Sequence, residues 1–230
     1  MNNSILYDNQ STMFWNKTII WFWNEILKVE EIDKKISDTI IIKNHYSKKV
    51  YNWTYIHLWV FYDNEIVWVL QYWYAMNPAS CWSVVEWTMQ DEYLELNRMW
   101  IKDNVIEYIE SQAISLSIKY IKSKFRKIKW IQSFADERCG WFWIVYQACS
   151  FSYYWEHTSS FWELDWETFH NSIKTSEKAW PRWFHLLNNP DNKDRVIHHE
   201  LRQFRYIKYL DNRYKNKCLH KEKKYPKHYL

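Results

Sequence analysis

Along the chain, apolar residues recur with two different periods, and the switches between them outline the elements. Lys28–Asn44 carries Ile32, Ile36 and Ile40 against charged neighbours, a spacing that predicts a helix. His57–Tyr62 and Ile66–Tyr72 are β-rich runs around Asp63-Asn64-Glu65, which predicts a hairpin. Val84–Thr88 and Tyr93–Ile101 read as further strands. Ser111–Phe125, with Ile114, Ile118 and Ile121 on one face and a lysine-rich end, reads as the clearest helix. Ile128–Phe134 is a buried strand that leads into Ala135-Asp136-Glu137. A short helix is expected at Ile144–Ser150, then strands at Phe151–His157 and Ser160–Asp165. Pro181 and Pro190 mark loops in a polar stretch, and an amphipathic segment near Glu200–Leu210 precedes a basic end. This order predicts an α/β fold, a mixed central sheet with helices on both faces. It is also the order of GNAT-type acyltransferases. The expected division is a catalytic unit at 1–200 and a basic, tyrosine-rich tail at 201–230.

Composition adds an anomaly. The 230 residues include one glycine, Gly140, and 18 tryptophans, where an average chain of this length holds about 16 glycines. Trp53 lies in a polar stretch, Trp141 and Trp143 flank Phe142 after the lone glycine, and Trp166 follows Asp165 in a turn-like Leu-Asp-Trp-Glu. Turns need the positive φ that glycine supplies and tryptophan resists. The pattern is accounted for if the gene's UGA codons specify glycine and are read here as tryptophan, for instance at Trp59, Trp68, Trp141 and Trp143.

Charge is uneven. The chain carries +4 overall, but residues 201–230 hold ten Lys/Arg against Asp211 and Glu222, so the tail is +8 and the remainder −4. Arg202, Arg205, Lys208, Arg213 and Lys215, interleaved with tyrosines, suit phosphate contact and base stacking, which points to nucleic acid as partner. A solvated tail is the competing reading. The four cysteines are scattered without a C-x-x-C pair, which argues against a zinc site and a disulfide framework. No apolar run reaches the roughly 20 residues that span a bilayer, and the expected setting is cytoplasmic.

Five side chains stand out as chemistry. His45, followed by Tyr46, ends a predicted helix and can serve as base, ligand or cap. Arg98 sits among apolar strand neighbours and needs a partner, either a core carboxylate or an anionic ligand. Asp136 follows a buried strand, where carboxylates overlook the cleft of α/β folds or cap the next helix. Tyr146, ten residues on, is a proton donor or a core tyrosine. Ser111 caps its helix or touches a cofactor phosphate through the helix N-terminus.

His45-Tyr46-Ser47-Lys48, Leu96-Asn97-Arg98-Met99-Trp100, Ser111-Gln112-Ala113, Ser133-Phe134-Ala135-Asp136 and Ile144-Val145-Tyr146-Gln147-Ala148 together resemble the Mom family of phage adenine-modification proteins. The resemblance covers roughly residues 40–165. It implies a GNAT-like fold, double-stranded DNA as partner, and the conversion of its adenine to the carbamoylmethyl derivative, which shields phage DNA from host restriction. It assigns function to His45, Tyr46, Asp136 and Tyr146 as catalytic and to Arg98 and Ser111 as donor-binding residues. One departure stands out. GNAT pyrophosphate loops contain glycines, whereas Asn104–Glu110 has none; the cofactor is therefore open, acetyl-coenzyme A being what the fold resemblance suggests. The competing functions are an ordinary GNAT N-acetyltransferase acting on a small amine or protein, and a non-catalytic DNA-binding module.

Overall fold

The computed structural model describes residues 18–22, 25–45, 50, 54–62, 65–74, 78–102, 109–137, 143–178 and 180–226. Its spine is a nine-stranded mixed sheet. The strands are β1 (Thr18–Phe22), β2 (Glu25–Glu31), β3 (Ile56–Tyr62), β4 (Glu65–Trp73), β5 (Tyr93–Ile101), β6 (Trp130–Asp136), β7 (Ser152–Leu164), β8 (Glu167–His170) and β9 (Ile197–Tyr209). In space they run β1-β2-β3-β4-β5-β6-β9-β7-β8. Only β5 and β6 pair in parallel. Their crossover is the helix α2 (Ile109–Lys124), as a parallel connection requires.

Helices cover both faces, as expected. Tyr72 on β4 meets Ser117 of α2, its hydroxyl 2.6 Å from the Ser117 Oγ. The preceding residue, Gln71, donates from Nε2 to Ser37 Oγ of α1 (Lys34–Asn44) at 2.8 Å. Adjacent strand residues point to opposite faces, so α1 and α2 lie on opposite sides. The α2 face holds the main core, with Leu58, Leu70, Leu96, Ile114, Ile121 and Ile131 among its members. The α1 face carries a smaller cluster around Val85, Tyr93, Trp130 and Ile207.

Several elements differ from the sequence expectation. Lys28–Asn44 is two elements: β2 pairs with β3, and a helix then starts at Lys34 behind Asp33, whose side chain accepts from Lys35 N at 2.7 Å. Ile36, assigned to the buried face, is half exposed; Ser37 and Ile41 are buried instead. Val84–Thr88 is not a strand. It follows a 3-10 turn (Pro78–Ser83) and joins Cys218 through one bridge at Val85. The two strands expected between 151 and 165 are one continuous strand, β7. Pro181 stands at the first turn of a helix, α5 (Pro181–Asn188), where its missing N–H costs nothing.

The largest difference concerns Glu200–Leu210. This segment is β9, a strand paired on both sides, with β6 and with β7. The division expected at 200/201 therefore falls inside the sheet. Alternating Leu201, Gln203, Arg205 and Ile207 read as half-polar because one face of β9 packs against polar side chains, which the sequence periodicity alone does not reveal. Beyond it, a 3-10 turn (Asn212–Lys217) and bridges at Cys218 and Lys223 lay the basic end along the body.

Glycine-like positions are occupied by tryptophan. Trp87 has φ 57° and Trp166 has φ 69°. Trp166 follows Asp165 (φ 51°) in a two-residue turn closed by Leu164↔Glu167, the geometry that Asp-Gly favours. Both tryptophans project into solvent, at 77% and 94% exposure. A non-glycine residue in this conformation costs on the order of 1–2 kcal/mol. Trp87→Gly and Trp166→Gly are each expected to raise unfolding stability by about 1 kcal/mol in chemical denaturation. Trp130→Gly, which empties a stacked core position beside Tyr93, should lower it by about 3–5 kcal/mol. Stability that falls in the first two would contradict this account.

Candidate active site

The site arises where β5 and β6 stop pairing. Their register runs Tyr93↔Trp130, Leu94↔Ile131, Glu95↔Gln132 and Leu96↔Ser133 and ends there. Beyond it β5 continues beside β4, and β6 continues beside β9. The two strands part like a wedge. At the same point β5 carries a bulge: Tyr72 pairs with Leu96 and Gln71 with Arg98, leaving Asn97 as the extra residue.

The bulge gathers polar side chains on one face. Gln71 faces α1, and its pairing partner Arg98 shares that face. Asn97 Nδ2 donates to Glu95 Oε1 at 2.8 Å, so Glu95, Asn97 and Arg98 all project toward α1. Gln132 Nε2 donates to Glu95 Oε2 at 2.7 Å, and Arg205 Nη1 donates to Gln132 Oε1 at 2.8 Å. By alternation along β6 from Gln132, Phe134 and Asp136 are on the same side. Asp136 is buried and opposite Gln203 of β9. This face thus presents Arg98 on one wall of the wedge and Asp136 on the other.

His45 closes the α1 end. It is the C-cap residue of α1, its main-chain N–H donating to Ile41 O at 2.8 Å, and its side chain is buried. Burial, reinforced by the nearby Arg98 charge, lowers its pKa to about 4. Arg98 itself folds back, Nη1 donating to the Asn97 carbonyl at 2.7 Å. Tyr46 lies outside the described residues.

Tyr146 is on the other side. It belongs to α3 (Trp143–Ala148), is buried on the α2 face, and its hydroxyl is 2.7 Å from Ser133 Oγ. Its ring stacks on Tyr206 at 5.3 Å and meets Phe151 edge-on at 5.4 Å. Ser133 is the last β6 residue paired with β5, so this hydroxyl stands at the apex of the wedge. Ser111 is the third residue of α2 rather than its cap, and its carbonyl accepts from Cys149 Sγ at 3.2 Å. The structure therefore sorts the expected residues by face: His45, Arg98 and Asp136 toward α1, Tyr146 and Ser111 toward α2.

A pyrophosphate-bearing cofactor would be drawn to the positive N-terminal end of a helix such as α2. Residues 103–108 lie outside the described set, and the first turn of α2 carries Glu110. A carboxylate there opposes an anion at the positive end of the helix. Among the described residues no group of three or more His, Cys, Asp or Glu is placed to hold a metal ion. No helix among them is long and apolar enough to cross a membrane.

The five basic residues expected to meet DNA have internal partners. Arg205 lies deepest, its guanidinium 4.6 Å from the Phe134 ring and 4.3 Å from that of Trp155, with burial lowering its pKa to about 10. Lys208 donates to the Cys149 and Ser150 carbonyls at 2.9 and 3.3 Å, closing the end of α3. Arg202 forks onto Glu137, Arg213 onto Asp211, and Lys215 meets Glu222 at 2.8 Å. Only Arg202, Arg213 and Lys215 of the five keep much of their side chains in solvent. Sequence reasoning missed Glu95, Asn97 and Gln132. The available signal was Glu95 and Asn97 alternating with Leu94 and Leu96 in an otherwise apolar strand.

A mixed sheet opened between two parallel strands at a bulge, with helices on either face, is an α/β fold of GNAT-like form. Solved structures that the chain matches include an N-acetyltransferase from Staphylococcus aureus Mu50, 9% identical with a TM-score of 0.48, covering 80% of this chain and 99% of that one. Another is the ribosomal-protein-S5-alanine acetyltransferase from Vibrio fischeri, 11% identical with a TM-score of 0.48, covering 85% and 98%. Sequence comparison is more specific. Residues 26–227 match the Mom protein family. The chain is also 40% identical over 213 residues to the methylcarbamoylase mom of Escherichia phage Mu, covering 91% of this chain and 87% of that protein. The chain belongs to the Mom protein family.

The lowered pKa of His45 has a consequence for stability. Between about 4 and the ordinary value near 6.5 the unfolded chain binds a proton that the folded chain does not. His45 therefore subtracts stability progressively as pH falls through that window, on the order of 3 kcal/mol by its lower end. His45→Gln should flatten the pH dependence of the denaturation midpoint between pH 6.5 and 4. An unchanged slope in the variant would contradict the assignment.

Proposed function

We propose that this chain is a DNA-modifying transferase that converts adenine to its N6-carbamoylmethyl derivative, protecting phage DNA from host restriction inside the host cytoplasm. The observation that carries the reading is the wedge between β5 and β6, which brings His45, Arg98 and Asp136 to one face and Tyr146 to its apex, in a Mom-family chain. The relative's name, methylcarbamoylase, agrees with the chemistry.

The adenine amine is a weak nucleophile because its lone pair is delocalised into the ring, and the base must leave the stack to be reached. On this reading the flipped base enters from the α1 face. Its nitrogen attacks the donor's methylene carbon, forming the N–C bond as the bond to the leaving group breaks. The amine proton passes to Asp136. His45, whose pKa is about 4, is a poor proton acceptor at neutral pH and instead orients the amine as a neutral imidazole. Arg98 holds the anionic part of the donor through paired N–H donors. Tyr146, at the apex on the α2 face, protonates the departing group. Ser111, on the same face as Tyr146, lines the donor's path. Tyr46 is assigned with His45 from the sequence motif.

The exposed cations Arg202, Arg213 and Lys215 are the phosphate contacts within the set read from the sequence, while Arg205 and Lys208 support the sheet and α3. DNA affinity then depends on salt through the exposed group. Asp136→Ala and Arg98→Ala should each lower adenine modification by about 10²-fold or more, while DNA affinity changes by less than about threefold. Nucleoside mass spectrometry of co-expressed plasmid DNA, with anisotropy binding on purified protein, checks both. Full modification by either variant would remove the proposal.

A further inference from the structure

Three carboxamides face α1 around the parting of β5 and β6, and they are not equally satisfied. Gln132 uses both ends, its nitrogen toward Glu95 and its oxygen toward Arg205. Gln71 donates to Ser37 Oγ and Asp38 Oδ1, both at 2.8 Å, but its Oε1 is buried without a partner. Asn97 donates to Glu95, and its Oδ1 is likewise buried without a partner. With Glu95 ionised and accepting from both neighbours, the amide nitrogen of Asn97 faces it and the carbonyl points away. A buried acceptor left unmet costs about 1–3 kcal/mol. Such groups are rare in folded proteins and call for a cause.

Position supplies the cause. Asn97 is the bulged residue and the first on β5 beyond its last pair with β6. It stands beside Arg98, so an acceptor and a strong donor sit on adjacent residues of one face. That order complements an –NH2 group flanked by an acceptor, which is the edge of adenine or a primary carboxamide. We propose that Asn97 is a specificity-determining residue whose Oδ1 accepts an N–H of the –NH2 group brought into the wedge, and that Glu95 is the positioning residue that aims it. The two sources named, adenine and the carbamoyl group, rest on the function proposed above.

Two probe pairs test this on the full-length protein. One is an oligonucleotide containing adenine against the same sequence with purine, which lacks the amine. The other is glycinamide against its N,N-dimethyl amide, which lacks the N–H groups. The wild type is expected to prefer the –NH2-bearing member of one pair by about tenfold, as for one hydrogen bond. Preference in the DNA pair assigns adenine, and preference in the amide pair assigns the carboxamide. Asn97→Leu should abolish that preference and Glu95→Gln should weaken it, without altering affinity for the member lacking N–H. Asn97→Ser serves if the leucine variant does not fold. A wild type with no preference in either pair, or a folded Asn97 variant that keeps it, overturns the inference. If the preference holds but the wild type leaves adenine unmodified, the function proposed above fails and this inference stands.

A separate observation carries a second inference. We infer that the gene specifies glycine at positions 87 and 166 through UGA. A 230-residue chain with one glycine has tryptophan at two exposed, positive-φ turn positions. Trp59 and Trp68 add buried indole N–H groups without partners. By contrast, Trp130 donates to Thr88 Oγ1 at 3.3 Å and behaves as a true tryptophan. Codon reading together with peptide mass spectrometry of protein from the source organism tests this. UGA at 87 and 166 with glycine in the peptides is expected; UGG at either position, or tryptophan by mass, overturns it.

Discussion

The constraint on which the rest depends is that β5 and β6 pair for four residues and then separate. A parallel pair inside a sheet would normally continue until both strands end. Here each strand keeps its outer neighbour, β4 or β9, so the sheet remains continuous at both sides while opening between. Main-chain groups on the two inner edges face each other across the gap. That gap separates two neighbouring strands in the interior of the described sheet. On the proposed reading, it lets residues on opposite faces, Asp136 and Tyr146, serve one site.

Holding the wedge open needs support beneath it, and the α1 face supplies polar support. Desolvation raises the pKa of the half-buried Glu95, opposed in part by donation from Gln132 and Asn97 and by the charges of Arg205 and Arg98. Arg205 is in turn held between the rings of Phe134 and Trp155. A buried charge with its hydrogen bonds intact is tolerated, whereas removal of one member leaves the others uncompensated. The last pair on the other face, Leu96↔Ser133, carries Tyr146 instead. The same two rungs of the ladder thus anchor the Tyr146 hydroxyl on one face and the polar network on the other.

Much of this was legible in the sequence, and the reasons for the remainder are physical. Ser111–Phe125 read as a helix because its apolar residues keep helical spacing and α2 buries that face against one side of the sheet. His45, Arg98, Asp136 and Tyr146 were found by motif, yet their division between faces was not, because face depends on strand register and on a bulge that inserts one residue. The Glu95–Gln132–Arg205 line joins three strands, and its members lie 37 and 73 residues apart in sequence. No local pattern encodes such a pairing. The basic end misled for a related reason: Arg205 and Lys208 look like tail cations until β9 is seen to lie between β6 and β7. A cation on a central strand is selected for its partners, not for its charge in solvent.

The pairing of β9 also limits which cations an approaching DNA backbone could reach. If Arg205 and Lys208 were phosphate contacts, β9 would have to present them outward, but Arg205 points into the polar layer and Lys208 is engaged at the end of α3. Arg202 is different. It lies on β9 beyond the Asp136↔Gln203 pair, near the mouth of the wedge, and forks onto Glu137, the residue after Asp136. Glu137 is held below its ordinary pKa by that guanidinium. An approaching phosphate would compete with Glu137 for Arg202 and loosen the segment that carries Asp136. Backbone contact and chemistry would then be coupled through one ion pair at the rim, which a cation on a detached tail could not achieve.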